Sequence, residues 1–385
     1  MKKYISILGS TGSIGLSTLK LIGKKNNFFS INLLCANKNY KLICNQIKKY
    51  KPRYYVVNDR VIYKKIKKKF SRQNIKILNN FNNIKFKKSH HLTISAIPGL
   101  AGLKPTLKMI KFSKKILLAN KESIICGWNL IKNDALKNKT EIIPLDSEHF
   151  SISKLLENQN NKDVKKIILT ASGGPFLNFK KKELMNITPK KAIKHPKWKM
   201  GKKISVDSST LMNKILELIE AQKLFNISND KLDILIHPES LVHAIVQYKN
   251  GLTKFLYHET SMIVPIANAL FGKKVNISNF TNFNKDPIKD LTFRKVNEDI
   301  FPSIKLKKKI NEFPSTPIII NAANEASVDL FLKKKIPFLG IYKMIMTILN
   351  NRNYKKYAII KPKNINQIKQ IDFWVRDTII KTLRH

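Results

Sequence analysis

The first fifteen residues constrain this chain more than any other stretch. Residues 4–8, Tyr4-Ile5-Ser6-Ile7-Leu8, read as a short buried strand that passes directly into Gly9-Ser10-Thr11-Gly12-Ser13-Ile14-Gly15. Behind it Leu16, Leu19, Leu21 and Ile22 recur at helical spacing. A strand, a glycine loop and a helix in that order open a dinucleotide-binding sheet. Glycine permits the tight turn and the close backbone approach to a pyrophosphate, whose charge the helix N-terminus stabilises. A glycine triplet alone is a weak signal that also reads as an unliganded turn, and its setting strengthens it. An NAD-specific site places Asp or Glu about 20 residues further on to hold the ribose hydroxyls. Here the sequence is Ala36-Asn37-Lys38-Asn39, with no carboxylate. Lys38 can balance a 2′-phosphate, so NADPH is expected rather than NADH.

Strand patterns continue at 31–34, 54–57, 75–78, 92–97, 115–119 and 141–144, with helical stretches between several of them. This alternation predicts an α/β fold with a doubly wound, mostly parallel sheet. After residue 150 the texture changes. Strands are expected at 165–170, 232–236, 243–248 and 252–257, the last two joined by a turn at Lys249-Asn250-Gly251. The polar stretch 188–203 reads as a mobile loop, and Asp207-Ser208-Ser209-Thr210 as a helix start. Residues 273–303 are rich in Asn, Lys and Pro and read as a linker, after which the pattern is helical.

The 385 residues suggest two or three domains. The formal net charge is +48, yet only seven basic residues are Arg and 66 are Lys, scattered along the whole chain. A nucleic-acid reader concentrates Arg and aromatics on one face. The lysine excess therefore reads as a surface drift that attracts anions without naming a partner, and no specific nucleic acid is expected. Cys35, Cys44 and Cys126 form no C-x-x-C pair, which fits a reducing compartment. No apolar stretch approaches the roughly 18 residues that cross a bilayer, and the start lacks the apolar core of a signal peptide. A soluble, cytoplasmic protein without membrane contact is expected.

Acidic residues are scarce, 25 in all, so Pro144-Leu145-Asp146-Ser147-Glu148-His149 stands out. If extended, Asp146 and Glu148 project from one face at a strand end, where ligands bind in such sheets. Paired carboxylates suit Mg²⁺ or Mn²⁺, and the pattern reads equally as a solvated acidic turn. Asn213, Lys214 and Glu217 share one helical face. Ser208 at the expected helix start offers a phosphate seat, although an N-cap with an ordinary ion pair reads as well. Ser172-Gly173-Gly174 is a candidate anion nest or a flexible turn. His195 lies in the polar loop with Trp198, which covers a ligand or docks on the protein's own surface. Lys121 follows a buried strand and is placed to point into the crevice.

Taken together these segments closely resemble the 1-deoxy-D-xylulose 5-phosphate reductoisomerase family. The resemblance rests on Gly-Ser-Thr-Gly-Ser-Ile-Gly at 9–15, Leu-Leu-Ala-Asn-Lys-Glu-Ser at 117–123 and Asp-Ser-Glu-His at 146–149. It continues through Ala-Ser-Gly-Gly-Pro-Phe at 171–176, His-Pro-Lys-Trp-Lys-Met-Gly at 195–201, Lys-Ile-Ser-Val-Asp-Ser at 203–208 and Met-Asn-Lys at 212–214. Ile-His-Pro-Glu-Ser at 236–240 and Asn-Ala-Ala-Asn-Glu at 321–325 extend it to the later chain. It implies an NADPH domain (1–149) with a Rossmann-like sheet, a central α/β catalytic and dimerising domain (150–272), a linker (273–303) and a C-terminal helical bundle domain (304–385).

At matching positions the resemblance implies metal ligands Asp146, Glu148 and Glu217, and a phosphate grip from Ser172, Ser208, Asn213 and Lys214. Lys121, Ser147, Glu148, His195 and Glu217 would line the substrate, with Lys121, Asp146, Glu148, His195 and Glu217 catalytic. Trp198 and Met200 would belong to a closing loop. Thr11, Gly12, Ser13, Ile14, Asn37, Lys38, Asn39, Asn120, Glu122 and Gly201 would contact NADPH. Asn37 stands where the family often has Gly, and Ile215 replaces a common Gly. The implied reaction is NADPH- and Mg²⁺- or Mn²⁺-dependent rearrangement and reduction of a phosphorylated ketose by a homodimer. Two rivals predict other behaviour: a metal-independent NADPH dehydrogenase, and an RNA-binding protein that keeps a nucleotide fold.

Overall fold

A computed structural model describes residues 2–24, 28–82, 84, 86, 90–198, 200–272, 276–280 and 290–383. The chain begins with β1 (Lys3–Leu8), α1 (Ser13–Lys24), β2 (Phe29–Ala36), α2 (Tyr40–Tyr50), β3 (Tyr54–Val57), α3 (Arg60–Lys69) and β4 (Lys76–Leu78). Next come β5 (His90–Ser95), α4 (Leu103–Ile110), β6 (Ser113–Leu118), α5 (Lys121–Asn138), β7 (Glu141–Pro144) and α6 (Ser147–Leu155). These are followed by β8 (Val164–Ala171), α7 (Pro189–Ala192), α8 (Lys202–Ser209), α9 (Met212–Phe225), β9 (Leu232–Ile236), β10 (Val242–Tyr248) and β11 (Thr253–Tyr257). The last helices are α10 (Ile263–Phe271), α11 (Thr316–Leu332), α12 (Gly340–Leu349), α13 (Tyr354–Ala358) and α14 (Ile365–Thr382).

The described residues form two compact units. The first carries a seven-stranded sheet in the order β4-β3-β2-β1-β5-β6-β7, with every pair parallel. Strand order reverses between β1 and β5, so the glycine loop leaves β1 at the switch point where such sheets hold ligands. Helix α10 returns to this unit and packs on α1. Its Ile266 and Leu270 join Ile5, Leu21, Ile22 and Phe29 in one apolar core.

The loop has no slack. Gly9 has φ +84°, and a Cβ there would lie 2.5 Å from the Ala96 carbonyl oxygen. A Cβ on Gly15 would lie 2.4 Å from the Gly9 oxygen and 2.6 Å from Ser10 Cα. The clash is with backbone, so it cannot be relieved by a rotamer change. Gly15→Ala should therefore lower stability by about 2 kcal/mol, in the range of overpacking, despite alanine's better helix propensity. Denaturant melts showing a neutral or stabilising effect would contradict this packing.

The second unit is built on a four-stranded sheet in the order β11-β10-β8-β9. β10 is antiparallel to β8 and β11, and β8 is parallel to β9. Toward the C-terminus α11 packs on α12 and α14. Arg376 on α14 donates to Glu325 on α11 at 2.6 Å and also holds Asp372. The stretch expected as a loop at 188–203 contains the short helix α7 and the start of α8. Of the expected linker, 273–275 and 281–289 lie outside the described residues. Within its described remainder, Arg294 bridges to Ile236.

Candidate active site

In the first unit the parallel strands bring several segments to one edge. The Gly9 and Ser10 N–H groups donate to the Cys35 carbonyl at 3.0 and 2.8 Å, and Gly12 N–H donates to Gly9 O at 3.1 Å. These bonds seat the loop beside the end of β2, ahead of exposed Asn37, Lys38 and Asn39. Thr11 and Gly12 lie in the loop, and Ser13 and Ile14 open α1. Asn39 caps α2 through Leu42 N–H at 3.1 Å. Asn120 caps α5 and donates to Gly99 O at 3.0 Å. Lys121 and Glu122 open α5 and are buried. Lys121 Nζ lies 3.2 Å from Asp146 Oδ2, which fits its expected direction toward the strand ends.

In the second unit Glu148 lies in the first turn of α6, where its charge suits the helix N-terminus. The extended Asp146–Glu148 pairing expected from the sequence is thus corrected, because Ser147 already begins a helix. Ser147 Oγ donates to Glu148 Oε2 at 2.6 Å. Asn213, Lys214 and Glu217 do share one face of α9. Lys214 Nζ bonds both Glu148 and Glu217, the latter at 2.5 Å, and Asn213 Nδ2 donates to Glu217. Glu217 is 1 % exposed and Lys214 6 %. Carboxylate oxygens of Glu148 and Glu217 lie within 4.8 Å of each other. The two carboxylates converge on one lysine, Glu217 buried and Glu148 partly so, and present hard oxygen donors of the kind that suit a divalent cation. Asp146, the last residue of its segment of the first unit, stands two residues before Glu148 in the chain.

Behind the pair lies a contact the sequence did not suggest. His149 Nε2 is 3.0 Å from the Glu217 carbonyl oxygen, and its Nδ1 is 3.4 Å from Glu220 Oε2. A carbonyl only accepts, so Nε2 carries the proton. The available signal was a second glutamate three residues past Glu217 on a largely apolar helix. Asp207 was also missed: it is fully buried, accepts from Asn324 Nδ2 at 2.8 Å and pairs with Lys203 at 2.8 Å.

Ser172 follows β8. Its Oγ accepts from Gly174 N–H at 3.1 Å and lies 3.0 Å from His195 Nε2. His195 Nδ1 accepts from the N–H groups of Lys197 and Trp198 at 3.1 and 2.9 Å. Nε2 therefore bears the hydrogen and donates to Ser172. Burial, with the nearby Lys214 charge, pushes the His195 pKa down to about 4. Ser208 is half-buried in the last turn of α8, not at a helix start. The expected helix start is corrected because α8 begins at Lys202 and the chain breaks at Leu211, with φ 62°, before α9. A Cβ on Gly174 would lie 3.2 Å from Ser208 O, so the Ser172 turn and the Ser208 segment abut. Trp198 packs edge-on to His243, whose ring stacks on His258 at 3.9 Å. Met200 is half-buried, and exposed Gly201 precedes α8.

Burial also holds the His258 pKa at about 4. His195 and His258 thus titrate below the unfolded value near 6.5. As pH falls the unfolded chain binds their protons first, so stability should decline from about pH 6.5 to about pH 4. Urea melts at pH 7, 6 and 5 should show this slope and a shallower one for His258→Gln. An unchanged slope would assign the acid sensitivity elsewhere.

A parallel sheet that reverses beside a glycine loop, joined to a unit in which Glu148 meets the buried Glu217, defines an α/β enzyme of the nucleotide-binding oxidoreductase class. Family models agree. One described as 1-deoxy-D-xylulose 5-phosphate reductoisomerase matches residues 5–127, its C-terminal domain matches 142–225, and a DXP reductoisomerase C-terminal domain matches 258–378. The curated 1-deoxy-D-xylulose 5-phosphate reductoisomerase of Pelagibacter ubique is 44% identical over 97% of this chain and 97% of its own. That of Wolbachia pipientis wMel is 41% identical over 96% and 95%. The solved enzyme from Zymomonas mobilis in complex with NADPH superposes with TM-score 0.88 at 32% identity, covering 100% of this chain and 99% of that one. A further solved DOX-P reductoisomerase, in complex with NADPH, fosmidomycin and magnesium, gives 0.91 at 29% identity over 99% and 98%. The chain belongs to the 1-deoxy-D-xylulose 5-phosphate reductoisomerase family.

Proposed function

We propose that Asp146, Glu148 and Glu217 hold the divalent cation of the family reaction, and that the glycine loop holds its NADPH. The reaction is the NADPH- and divalent-metal-dependent rearrangement and reduction of 1-deoxy-D-xylulose 5-phosphate to 2-C-methyl-D-erythritol 4-phosphate, in the non-mevalonate supply of isoprenoid precursors. The observation that carries the metal assignment is the meeting of Glu148 with the buried Glu217 at one lysine. The donors are all hard oxygens, which suits Mg²⁺ or Mn²⁺. When bound, the dication supplies Lewis-acid polarisation of the ketose oxygens, and NADPH supplies the hydride.

The chain's own residues do the rest. Ser172, Ser208, Asn213 and Lys214 grip the phosphate. That role would require Asn213 and Lys214 to exchange their carboxylate partners for phosphate oxygens. His195, kept neutral, holds Ser172 in place as a hydrogen-bond donor and lines the substrate with Lys121 and Ser147. Trp198 and Met200 cover the substrate and exclude water, with the His243–His258 stack as the seat of the indole. Thr11, Gly12, Ser13, Ile14, Asn37, Lys38, Asn39, Asn120, Glu122 and Gly201 would hold NADPH, with Lys38 offering a positive charge to a 2′-phosphate. The functional division is into an NADPH domain (1–149) whose core is completed by α10, a catalytic and dimerising domain (the rest of 150–272), a linker (273–303) and a helical domain (304–385).

Purified protein should oxidise NADPH when given 1-deoxy-D-xylulose 5-phosphate, lose turnover with a chelator and regain it with Mg²⁺ or Mn²⁺. Metal-independent turnover of a simple aldehyde would favour the rival dehydrogenase. Glu217→Gln should lower turnover on the order of 100-fold, since several kcal/mol of Lewis-acid stabilisation is at stake. Titration calorimetry should show Mn²⁺ affinity lost with NADPH affinity kept. Wild-type Mn²⁺ binding in this variant would remove Glu217 from the ligand set.

The protein acts as a cytoplasmic homodimer. No described helix is long and apolar enough to cross a membrane, and the three cysteines are buried and form no disulfide. Support for the dimer comes from β11, an edge strand carrying Phe255 at 49 % exposure next to Leu252 at 56 %, a surface that natural edges rarely leave bare. Sedimentation should give twice the chain mass, and Phe255→Glu should shift it to monomer. A wild-type monomer would end this reading.

A further inference from the structure

We propose that Ser10, Gln46 and Tyr55 form a buried bracket beneath the glycine loop, with Gln46 the positioning residue that sets the loop for the dinucleotide. This rests on the NADPH reading above. Ser10 is the second residue of the loop, yet it faces inward and is 0 % exposed. Its Oγ donates to Gln46 Oε1 at 2.7 Å, and its carbonyl accepts from Gln46 Nε2 at 2.9 Å. Its N–H is taken by Cys35 O. All three polar groups of Ser10 therefore have partners inside the protein, which makes it a fastener rather than a ligand contact.

Gln46 comes from α2 and is 4 % exposed. Its orientation follows from chemistry: the Ser10 carbonyl can only accept, so the amide nitrogen must face it and the amide oxygen must face the hydroxyls. Tyr55, fully buried on β3, completes the set by donating to Gln46 Oε1 at 2.6 Å, with its oxygen 3.2 Å from Ser10 Oγ. Two elements thus clamp one peptide of the loop by both its side chain and its carbonyl. The peptides of Thr11, Gly12 and Ser13 follow directly, and since Gly12 N–H is already held by Gly9 O, the tilt of Ser10 sets where the Thr11 and Ser13 N–H groups point. Gly9 and Gly15 make backbone-to-backbone contacts on either side, so a rotation at Ser10 cannot be absorbed locally. A fully satisfied buried polar set costs more to assemble than an apolar filling, and what it provides is a single defined orientation.

The bracket makes a prediction that a merely structural role does not. Removing the amide should loosen NADPH while sparing the ketose. Gln46→Leu in the full-length chain should raise the NADPH Kd about tenfold in a fluorescence titration without substrate. The KM for NADPH should rise in step, while the KM for 1-deoxy-D-xylulose 5-phosphate and the kcat at saturating NADPH change less than twofold. Gln46→Glu, which sets a carboxylate against the Ser10 carbonyl beneath the pyrophosphate, should weaken NADPH further. Tyr55→Phe keeps the ring and both Ser10–Gln46 bonds and should raise the Kd about threefold. A folded Gln46→Leu variant with the wild-type Kd overturns the proposal, even if its melting temperature falls. Should Gln46→Leu not fold, an unaltered Kd in Tyr55→Phe overturns it instead. Wild-type protein that fails to bind NADPH would sink the cofactor reading, a result distinct from either.

Discussion

The constraint on which the first unit depends is the absence of room at the end of β1. The strand is buried through Ile5–Leu8, and the chain must leave it, turn and enter α1 within a few residues. It does so with backbone against backbone, Gly9 on Ala96 and Gly15 on Gly9. Van der Waals contact between main-chain atoms has no soft coordinate, so the loop's shape is dictated by the sheet. The same stiffness makes the loop a repeatable template for donors.

The second unit is organised around charge taken out of water. Buried Lys214 and Glu217, with the partly buried Glu148, are held because they pair. The supports extend outward: Asn213 and Ser147 bond the carboxylates, and His149 bonds the backbone of Glu217. His195 represents the opposite solution, an ionisable ring kept neutral by burial and by a neighbouring ammonium. Its two acceptor contacts at Nδ1 leave no ambiguity about which nitrogen donates.

Much of this was legible in the sequence. The strand–glycine–helix opening and the alternation after it gave the parallel sheet, because periodicities of 2 and 3.6 are written directly in apolar spacing. The shared face of Asn213, Lys214 and Glu217 followed from helical geometry alone. Local backbone detail did not. Leu211 adopts a left-handed conformation that costs a branched residue free energy and has no sequence signature, so Asp207–Thr210 read as a helix start when it closes one. Gln46 sits among lysines on α2 and carries no apolar mark, and its partners are 36 residues before it and nine after. Long-range polar pairing of that kind is set by tertiary structure and leaves no periodicity to read.

The place of α10 has a consequence for how the chain is made. The N-terminal sheet is written in the first part of the sequence, but one face of its core is filled by Ile266 and Leu270, and Phe271 lies edge-on to Phe29. During synthesis this core cannot be completed until α10 has left the ribosome, so a truncated product ending near residue 146 would leave the apolar surface that α10 covers exposed.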